Sequence, residues 1–261
     1  MTAVAIAISV PLTLLSREAS ASDFLKTRML ARLLGDAGQL ASTVATYRFG
    51  DPEFTPGDLE GEVDCRRGQP MPGIVTVLAS NPGGTSMRSC EVPARTPLLF
   101  LVGGCLVVNG SLQEDCSNDP TVCDDLDFLG SPAVCGDEGR CIGAISVEEK
   151  VSGCEKFIND LICGLEVYYD HQLVHPVAGG APLLRAVSDP TAGFFPNPFE
   201  GVDFDPELIY SGFFGLIPAS EVTPGHHTLT WRGGIGFDDE GNCGAIATSE
   251  VTYELDVIRR W

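Results

Sequence analysis

The sequence predicts a mainly β protein, an antiparallel β-sandwich or jelly-roll-like fold with an N-terminal helix and a disulfide-stapled loop insert. Short β-branched runs alternate with turn-forming residues, and the chain of 261 residues contains 30 glycines and 18 prolines. The last of these runs alternates strictly between apolar and polar side chains. Many short strands bounded by Gly and Pro are typical of sandwiches and barrels.

The N-terminus predicts export from the cytosol. Residues 3–15 form an uncharged apolar run, and Ala19-Ser20-Ala21 follows it, as in a signal peptide with its cleavage site. No Lys or Arg precedes the run, which departs from the usual pattern. The run is shorter than the about 20 residues that span a bilayer. We expect residues 1–21 to be a signal peptide, the mature chain to begin near Ser22, and the protein to have no stable membrane anchor; the alternative is a buried N-terminal strand or helix.

Residues 22–49 predict an amphipathic helix. Behind a Ser22/Asp23 cap, apolar side chains recur at helical spacing. These are Phe24, Leu25, Met29, Leu30, Leu33 and Leu34. The segment packs on the domain in this interpretation, and a removed propeptide is the alternative. Residues 50–261 are then expected to form one β-sandwich-like domain.

Three runs mark the clearest strands. Residues 73–78 and 96–102 are apolar and bounded by Gly, Pro or Thr, as expected for buried strands. Residues 251–257 alternate between apolar and polar side chains. Because successive side chains of a strand point to opposite faces, this last strand should bury one face and expose the other.

The cysteines predict a disulfide framework. All ten lie after the expected cleavage site, and no C-x-x-C pair occurs, so an exported chain should pair them rather than bind zinc. We expect no free thiols in the secreted protein. Seven cysteines fall within residues 105–163, around an acidic stretch at residues 114–127. They predict a long surface loop that leaves the sandwich and is held in shape by disulfides. The ten cysteines are Cys65, Cys90, Cys105, Cys116, Cys123, Cys135, Cys141, Cys154, Cys163 and Cys243.

The charge excludes some partners and favours others. The chain has 36 acidic and 16 basic residues, a formal net charge of −20. A surface with this negative charge repels nucleic acid and anionic lipid. It favours binding of cations or basic partners, or it serves only to keep the protein soluble.

The acidic insert has no calcium-loop spacing, so we expect it to bind calcium weakly or not at all. Its aspartates are Asp119, Asp124, Asp125 and Asp127.

Catalytic chemistry has only weak candidates. The chain lacks G-x-S-x-G, H-E-x-x-H and phosphate-loop motifs. A secreted hydrolase would have to bring Asp170, His171 or His227 together with Arg185 in a cleft. His171 and His175 follow a strand-like run, and i to i+4 along a strand is about 13 Å, too far to share one metal ion.

Three further sets of residues each allow a structural and a functional interpretation. His227 shares a strand face with Leu229 and Trp231, opposite to His226, so it is expected to point toward the core as a hydrogen-bonded buried histidine. Asp203, Asp205 and Glu207 lie on one side of an extended segment and are weak metal candidates, with solvated carboxylates as the preferred interpretation. Asn109 begins the sequon N-G-S and is the candidate glycosylation site, expected in a loop. No cofactor is predicted.

Four motifs resemble a family of exported bacterial proteins. They are C-x-x-G-Q at residues 65–69, R-x-C-x-V-P-A at residues 88–94, P-G-x-H-T at residues 224–228 and V-T-Y-x-L-x-V at residues 251–257. The resemblance covers residues 62–257 in order, implies export and a β-rich fold, and brings no established activity. It also implies a bridge between Cys65 and Cys90, which flank the strand at residues 74–78. The acidic insert is not part of the family pattern.

The sequence therefore predicts a secreted extracellular binding or structural protein, with the secreted hydrolase as the alternative. The binding interpretation would be served by a patch of exposed aromatic side chains, although these are expected to lie in the core. They are Phe194, Phe195, Phe199, Phe213 and Phe214. Neither the extracellular ligand nor the oligomeric state follows from the residues.

Overall fold

A computed structural model describes residues 36–49, 54, 56–81, 83–109, 147–176, 183–192 and 207–259. Within these ranges, two helices and a short 3-10 helix accompany the strands. The helices are α1 (Ala37–Phe49) and α2 (Val147–Leu161), and the 3-10 helix is Pro56–Asp58. The strands are β1 (Gly61–Glu62), β2 (Thr76–Leu78), β3 (Gly84–Pro93), β4 (Leu98–Asn109), β5 (Ile162–Tyr169), β6 (Gln172–His175), β7 (Leu184–Val187), β8 (Thr191–Ala192), β9 (Glu207–Ile217), β10 (Gly225–Phe237) and β11 (Cys243–Ile258).

The strands form two sheets, and the mainly β prediction is confirmed. The large sheet has the order β1-β3-β11-β10-β5-β6, and the small sheet has the order β2-β4-β9-β7, with β8 also paired to β9. Most pairs are antiparallel, as expected. However, β1 with β3, β3 with β11 and β2 with β4 are parallel. Both sheets are therefore mixed, because strands distant in sequence meet without a hairpin to impose the antiparallel direction.

Alternation along β4 assigns its side chains to two cores. Leu98, Phe100 and Val102 belong to a cluster that joins the small sheet to the inner face of the large sheet. Leu99 and Leu101 point the other way, into a cluster shared with α1. Because successive side chains of a strand face opposite sides, the small sheet is buried on both faces.

Aromatic stacking connects the two sheets. The ring of Phe100 stacks on Trp231 of β10 with 4.6 Å between ring centroids, and Trp231 stacks in turn on Tyr253 of β11. Gly215 lies opposite Phe100 in the small sheet, and a Cβ at that position would be 2.3 Å from the ring. The glycine thus provides the space for the aromatic ring.

Helix α1 lies within the segment predicted as helical, and seven of its 13 residues are buried. The Asp36 carboxylate accepts a hydrogen bond from the amide of Gln39 at 3.1 Å, which caps the helix N-terminus. Arg48, near its C-terminus, donates to the Tyr210 hydroxyl of β9 at 2.8 Å. The apolar residues 24–34 that suggested the helix lie outside the described residues.

Three disulfides tie the described elements together. Cys65 is bonded to Cys90, the pair that the family resemblance implied. Cys105 of β4 is bonded to Cys154 of α2, and Cys163 of β5 is bonded to Cys243 of β11. The ends of the segment predicted as an insert thus belong to regular elements that disulfides fix to the sheets. The acidic stretch and the other four cysteines lie outside the described residues.

Of two further predictions, the alternation of β11 is confirmed and the placement of Asn109 in a loop is not. Strand β11 alternates as predicted, with Val251, Tyr253, Leu255 and Val257 buried. Asn109 is the last residue of β4, where its backbone pairs with Glu207, so it ends a strand and does not lie in a loop. In the described ranges, no helix is long and apolar enough to cross a membrane.

Candidate functional site

Two of the four catalytic candidates, Asp170 and His227, meet in the structure. His227 Nδ1 lies 2.8 Å from Asp170 Oδ2, and the amide of Thr228 donates to the other carboxylate oxygen at 3.0 Å. Asp170 lies in the turn between β5 and β6, whereas His227 lies near the start of β10. The tertiary structure thus joins two residues that are 57 positions apart.

The turn that carries Asp170 explains its orientation. Asp170 and His171 have φ angles of 50° and 62°, in the left-handed region. A two-residue hairpin of type I′ requires this conformation, which Asp tolerates better than most residues. The amide of Asp170 also donates to the carbonyl of Thr228 at 2.8 Å, so the turn is fixed directly beside β10.

Both ring nitrogens of His227 have partners within the protein. Nε2 lies 2.8 Å from the carbonyl oxygen of Thr223, an atom that can only accept, so the ring donates there. Tyr169 stacks on the imidazole at 5.4 Å with an interplanar angle of 10°. The side chain is only 12% exposed. These contacts form a clamp between the Asp170 turn and the loop before β10, made by a hydrogen-bonded, partly buried histidine.

Arg185 does not join this pair. Its guanidinium donates to Glu155 of α2 at 2.6 Å and to the hydroxyl of Ser211 at 3.0 Å. It also lies over the ring of Phe213, 5.2 Å from the centroid. Arg185 is in the small sheet, whereas Asp170 and His227 belong to the large sheet. The hypothesis that Arg185 converges with Asp170 and His227 in a catalytic site is therefore wrong. The guanidinium instead joins Glu155 of α2 to Ser211 of β9.

A small cavity lies between the two sheets, away from the Asp170 carboxylate. Its volume is about 10 Å³, far below the about 300–1,000 Å³ typical of small-molecule sites. His175 is in its lining, together with apolar side chains that include Phe100 and Val174, and none of the four catalytic candidates is. The cavity therefore does not unite the residues that catalysis would need.

The metal candidates have no support in the described part of the chain. No group of three or more His, Cys, Asp or Glu side chains is placed to hold an ion within the described ranges. Asp203, Asp205 and the side chain of Glu207 lie outside the described residues, as do the insert aspartates. His171 and His175 belong to a hairpin and not to a helix, in agreement with the expected strand geometry.

The aromatic patch has two described members, and neither forms an exposed surface. Phe214 is fully buried in the cluster under α1, and Phe213 packs partly buried beside α2. Phe194, Phe195 and Phe199 lie outside the described residues. The expectation that these phenylalanines lie in the core is confirmed for Phe214, whereas Phe213 lies partly buried at the edge of a cluster.

The outer face of the large sheet has a group of three outward-facing carboxylates on strand β11. Because the odd residues of β11 are buried from 251 to 257, Glu250, Glu254 and Asp256 point outward. We call these three residues the acidic stripe. Thr252 lies between them and shares a hydrogen bond of 3.0 Å with Thr230 of β10. Together they form a flat, polar surface open to solvent.

His226 is the cation set into the acidic stripe. Its Nε2 lies 2.8 Å from Glu254 Oε2, and its Nδ1 lies 3.1 Å from Asp256 Oδ1. Both hydrogen bonds favour the protonated ring, so Asp256 and then Glu254 raise the pKa of His226 above its ordinary value. The histidine neutralises part of the stripe at acidic pH and less of it as pH rises.

Next to the stripe, Arg232, Glu166 and Tyr168 form a hydrogen-bonded network. Arg232 Nε donates to Glu166 at 2.8 Å, and its Nη2 donates to the Tyr168 hydroxyl at 3.2 Å. Tyr168 donates to the same carboxylate. The Tyr168 hydroxyl and the guanidinium lower the pKa of Glu166. Arg232 also lies opposite Glu250 of the stripe, so the uncompensated negative charge of the stripe is centred on Glu254 and Asp256 around His226.

Sequence reasoning placed His226 on the face opposite to the core but missed its carboxylates. Glu254 and Asp256 lie 28 and 30 residues away from His226. The contact could have been inferred from the alternation of residues 251–257 together with the turn that joins β10 to β11. Once the two strands pair as a hairpin, His226 lies opposite Asp256.

Comparisons with protein-family models, with curated proteins and with solved structures found no match to this chain. The resemblance to exported bacterial proteins therefore stays a prediction from the four motifs. Function must be inferred from the geometry of the described residues.

Proposed function

We propose that the protein is a non-catalytic extracellular binding protein whose acidic stripe engages an electropositive macromolecule. The observation that carries the proposal is the excess of carboxylate on the outer face of β11, where Glu254 and Asp256 share the single imidazole of His226 and Glu250 lies further along the same face. The chain-wide net charge of −20 has the same sign. A basic partner is attracted both by the carboxylates of the stripe and by the net negative charge of the whole chain.

The state of the catalytic candidates also supports binding over hydrolysis. The imidazole of His227 is engaged by Asp170 and by the Thr223 carbonyl. A general base needs a ring nitrogen within hydrogen-bonding reach of a substrate proton. Arg185 is engaged by Glu155 and Ser211. These contacts account for both side chains as parts of the fold.

Secretion is part of the proposal. The predicted signal peptide at residues 1–21 and three disulfides in the described residues support an oxidising, extracellular setting. At the ionic strength of such media, charges are screened beyond about 8 Å. Close, fixed carboxylates such as Glu254 and Asp256 therefore matter more to a docked partner than the distant remainder of the charge.

Titration calorimetry with poly-L-lysine as the probe tests the proposal. We expect saturable binding at physiological salt. The double variant Glu254→Gln with Asp256→Asn should weaken it about fivefold or more, because two close charge contacts are lost. The matched control, Glu60→Gln with Asp160→Asn, removes the same charges from exposed positions elsewhere and should change the affinity less than about twofold.

Two results would contradict the proposed function. Equal losses in the two double variants would mean that poly-L-lysine senses only the net charge. Equally tight binding of poly-L-glutamate would mean that the surface does not select positive charge at all.

A further inference from the structure

Strand β11 extends beyond its neighbour on one side. Its residues 249–258 pair with β3, beginning at Ser249 opposite Gly84. Residues 247 and 248 and Cys243 pair only with β10 on the other side, and residues 244–246 between them lie in a bulge opposite Gly236. We call residues 243–248 the free edge. Within the described ranges, no strand pairs with its outer side, so backbone N–H and C=O groups there point away from the sheet.

The free edge is held rigidly in place. The Cys163–Cys243 disulfide fixes its first residue to β5. The hairpin loop before it is ordered by the Asp238 carboxylate, which accepts hydrogen bonds from the amides of Glu240 and Asn242 at 2.9 and 2.8 Å. A partner strand would therefore meet an edge whose first residue and preceding loop are already fixed, so little ordering entropy is lost there.

The free edge has only one of the usual protections against strand pairing. Natural sheets protect edges with charged side chains, proline or bulges. Residues 243–249 read C-G-A-I-A-T-S and include neither charge nor proline, and the bulge at residues 244–246 is the one protective feature. Ile246 is 70% exposed, and Phe237 on the paired strand is 50% exposed. An uncharged edge beside exposed apolar side chains can accept another strand.

Negative charge flanks this uncharged edge at both ends. Asp238, Asp239 and Glu240 are exposed in the hairpin loop before it, and Glu250 of the acidic stripe follows it. The Asp238 pKa is lowered by its hydrogen bonds to Asn242, so this carboxylate stays ionised across the neutral range. A complementary strand would be uncharged in its centre and basic at its ends.

We propose that the free edge is the docking site for an extended segment of a basic protein partner, which would add a strand beside β11. The inference rests on the proposed function, since it specifies how the electropositive partner is held. Six residues of strand span about 20 Å, the length of a short recognition segment. Main-chain hydrogen bonds would supply affinity, and Lys or Arg side chains would meet the flanking carboxylates.

The charges disfavour a second copy of this chain as the occupant. An antiparallel pair of free edges would place the acidic loop of each copy near Glu250 of the other. Each copy also has a net charge of −20, and like charges opposed across an interface disfavour association. A basic partner turns the same groups into attractive contacts.

Two synthetic peptides test the inference with the full secreted protein. Both have alternating Val and Thr in the centre and Lys at each end, and one has N-methyl groups on alternate amides. N-methylation preserves charge and side chains but removes the donors that strand pairing needs. We expect the unmodified peptide to bind and to slow amide hydrogen exchange within residues 243–248, and the methylated peptide to bind about tenfold or more weakly.

A matched pair of variants locates the binding edge. Ile246→Lys places a charge on the free edge and should abolish the protection of residues 243–248, whereas Met87→Lys adds the same charge at a position that is 63% exposed on β3 and should leave the protection unchanged. Each substitution replaces an exposed apolar side chain, so neither is expected to impair folding.

The outcomes separate the two proposals. Equal binding of both peptides, or loss of protection in Met87→Lys but not Ile246→Lys, overturns the docking edge while poly-L-lysine binding through the stripe still supports the proposed function. A dimer without peptide that Ile246→Lys dissociates also overturns it, because the occupant is then a second copy. Failure of both the peptides and poly-L-lysine to bind overturns both proposals.

Discussion

Arg88 Nη1 lies 3.0 Å from the hydroxyl oxygen of Tyr253, with both residues 1% exposed in the interior. The same guanidinium donates to the carbonyls of Leu59 and Gly57, each at 2.7 Å, and to that of Ala79. Backbone oxygens thus surround a buried cation. This arrangement fastens the segment around the 3-10 helix, and the end of the β2 region, to the large sheet.

Arg88→Met should destabilise the protein by about 3 kcal/mol or more, because three buried carbonyls lose their donor. Tyr253→Phe removes only the hydroxyl and should cost about 1 kcal/mol. Urea denaturation of both variants measures the free energy of unfolding. Arg88→Lys should not restore stability, since an ammonium lacks the planar fork that reaches three separate carbonyls. A loss below about 1 kcal/mol for Arg88→Met would mean that water replaces the guanidinium.

Gly215→Ala should destabilise the protein by about 2 kcal/mol, because the new Cβ would meet the Phe100 ring and force the inter-sheet stack to shift. Gly83→Ala is the matched control: a Cβ there has no heavy atom within 4 Å, so its stability should change by less than about 0.5 kcal/mol. Thermal unfolding followed by circular dichroism measures both. Similar melting temperatures for the two variants would contradict the close approach of Gly215 to Phe100.

The pKa of His226 should lie above its ordinary value of 6.5, and Glu254→Gln with Asp256→Asn should lower it. A raised native pKa means that the ring stabilises the fold below its unfolded pKa, and that this contribution is lost as pH rises through the native pKa. His226→Gln should therefore reduce the melting temperature at about pH 5 and leave it unchanged at about pH 9. Histidine NMR titration measures the pKa directly, and a wild-type value below 6.5 would be inconsistent with the two hydrogen bonds.

Removing the Cys65–Cys90 disulfide by Cys65→Ala with Cys90→Ala should destabilise the protein by about 3 kcal/mol on the chain-entropy model, for a sequence separation of 25 residues. Urea denaturation measures the loss, and peptide mapping without reduction should recover the two cysteines joined in the wild type. A peptide that links either cysteine to another partner would show that the pairing is wrong.

Asp170→Ala should destabilise the protein by about 2 kcal/mol, because it removes the His227 and Thr228 hydrogen bonds and places a residue without a polar side chain at a positive φ. His171→Asn is the control at the adjacent left-handed position, which Asn tolerates, and its stability should stay within about 0.5 kcal/mol of the wild type. Urea denaturation measures both variants. Unchanged stability of Asp170→Ala would contradict the clamp and make the pair a catalytic candidate again.

Local patterns in the sequence determined the elements themselves. Alternation predicted the buried and exposed faces at residues 251–257, since the period of a strand is two. Apolar runs predicted the neighbourhoods of β2 and β4, and family-like motifs implied the Cys65–Cys90 pair. These features depend on residues close in the chain, or on spacing that a motif preserves, so no tertiary contact was needed to infer them.

The tertiary structure decided which distant elements meet. Nothing local indicates that β3 pairs in parallel with β11, because two strands more than 150 residues apart have no hairpin between them to set direction or register. The pairing in turn buries Arg88, although arginine is a residue type that mostly lies on the surface, and among the described strands it leaves residues 243–248 without a neighbour on one side. The acidic stripe has the same origin: its carboxylates become one surface with His226 only when β10 and β11 align. Composition and alternation thus determine what each strand can bury, whereas the charges and edges that remain for a partner depend on which strands come together.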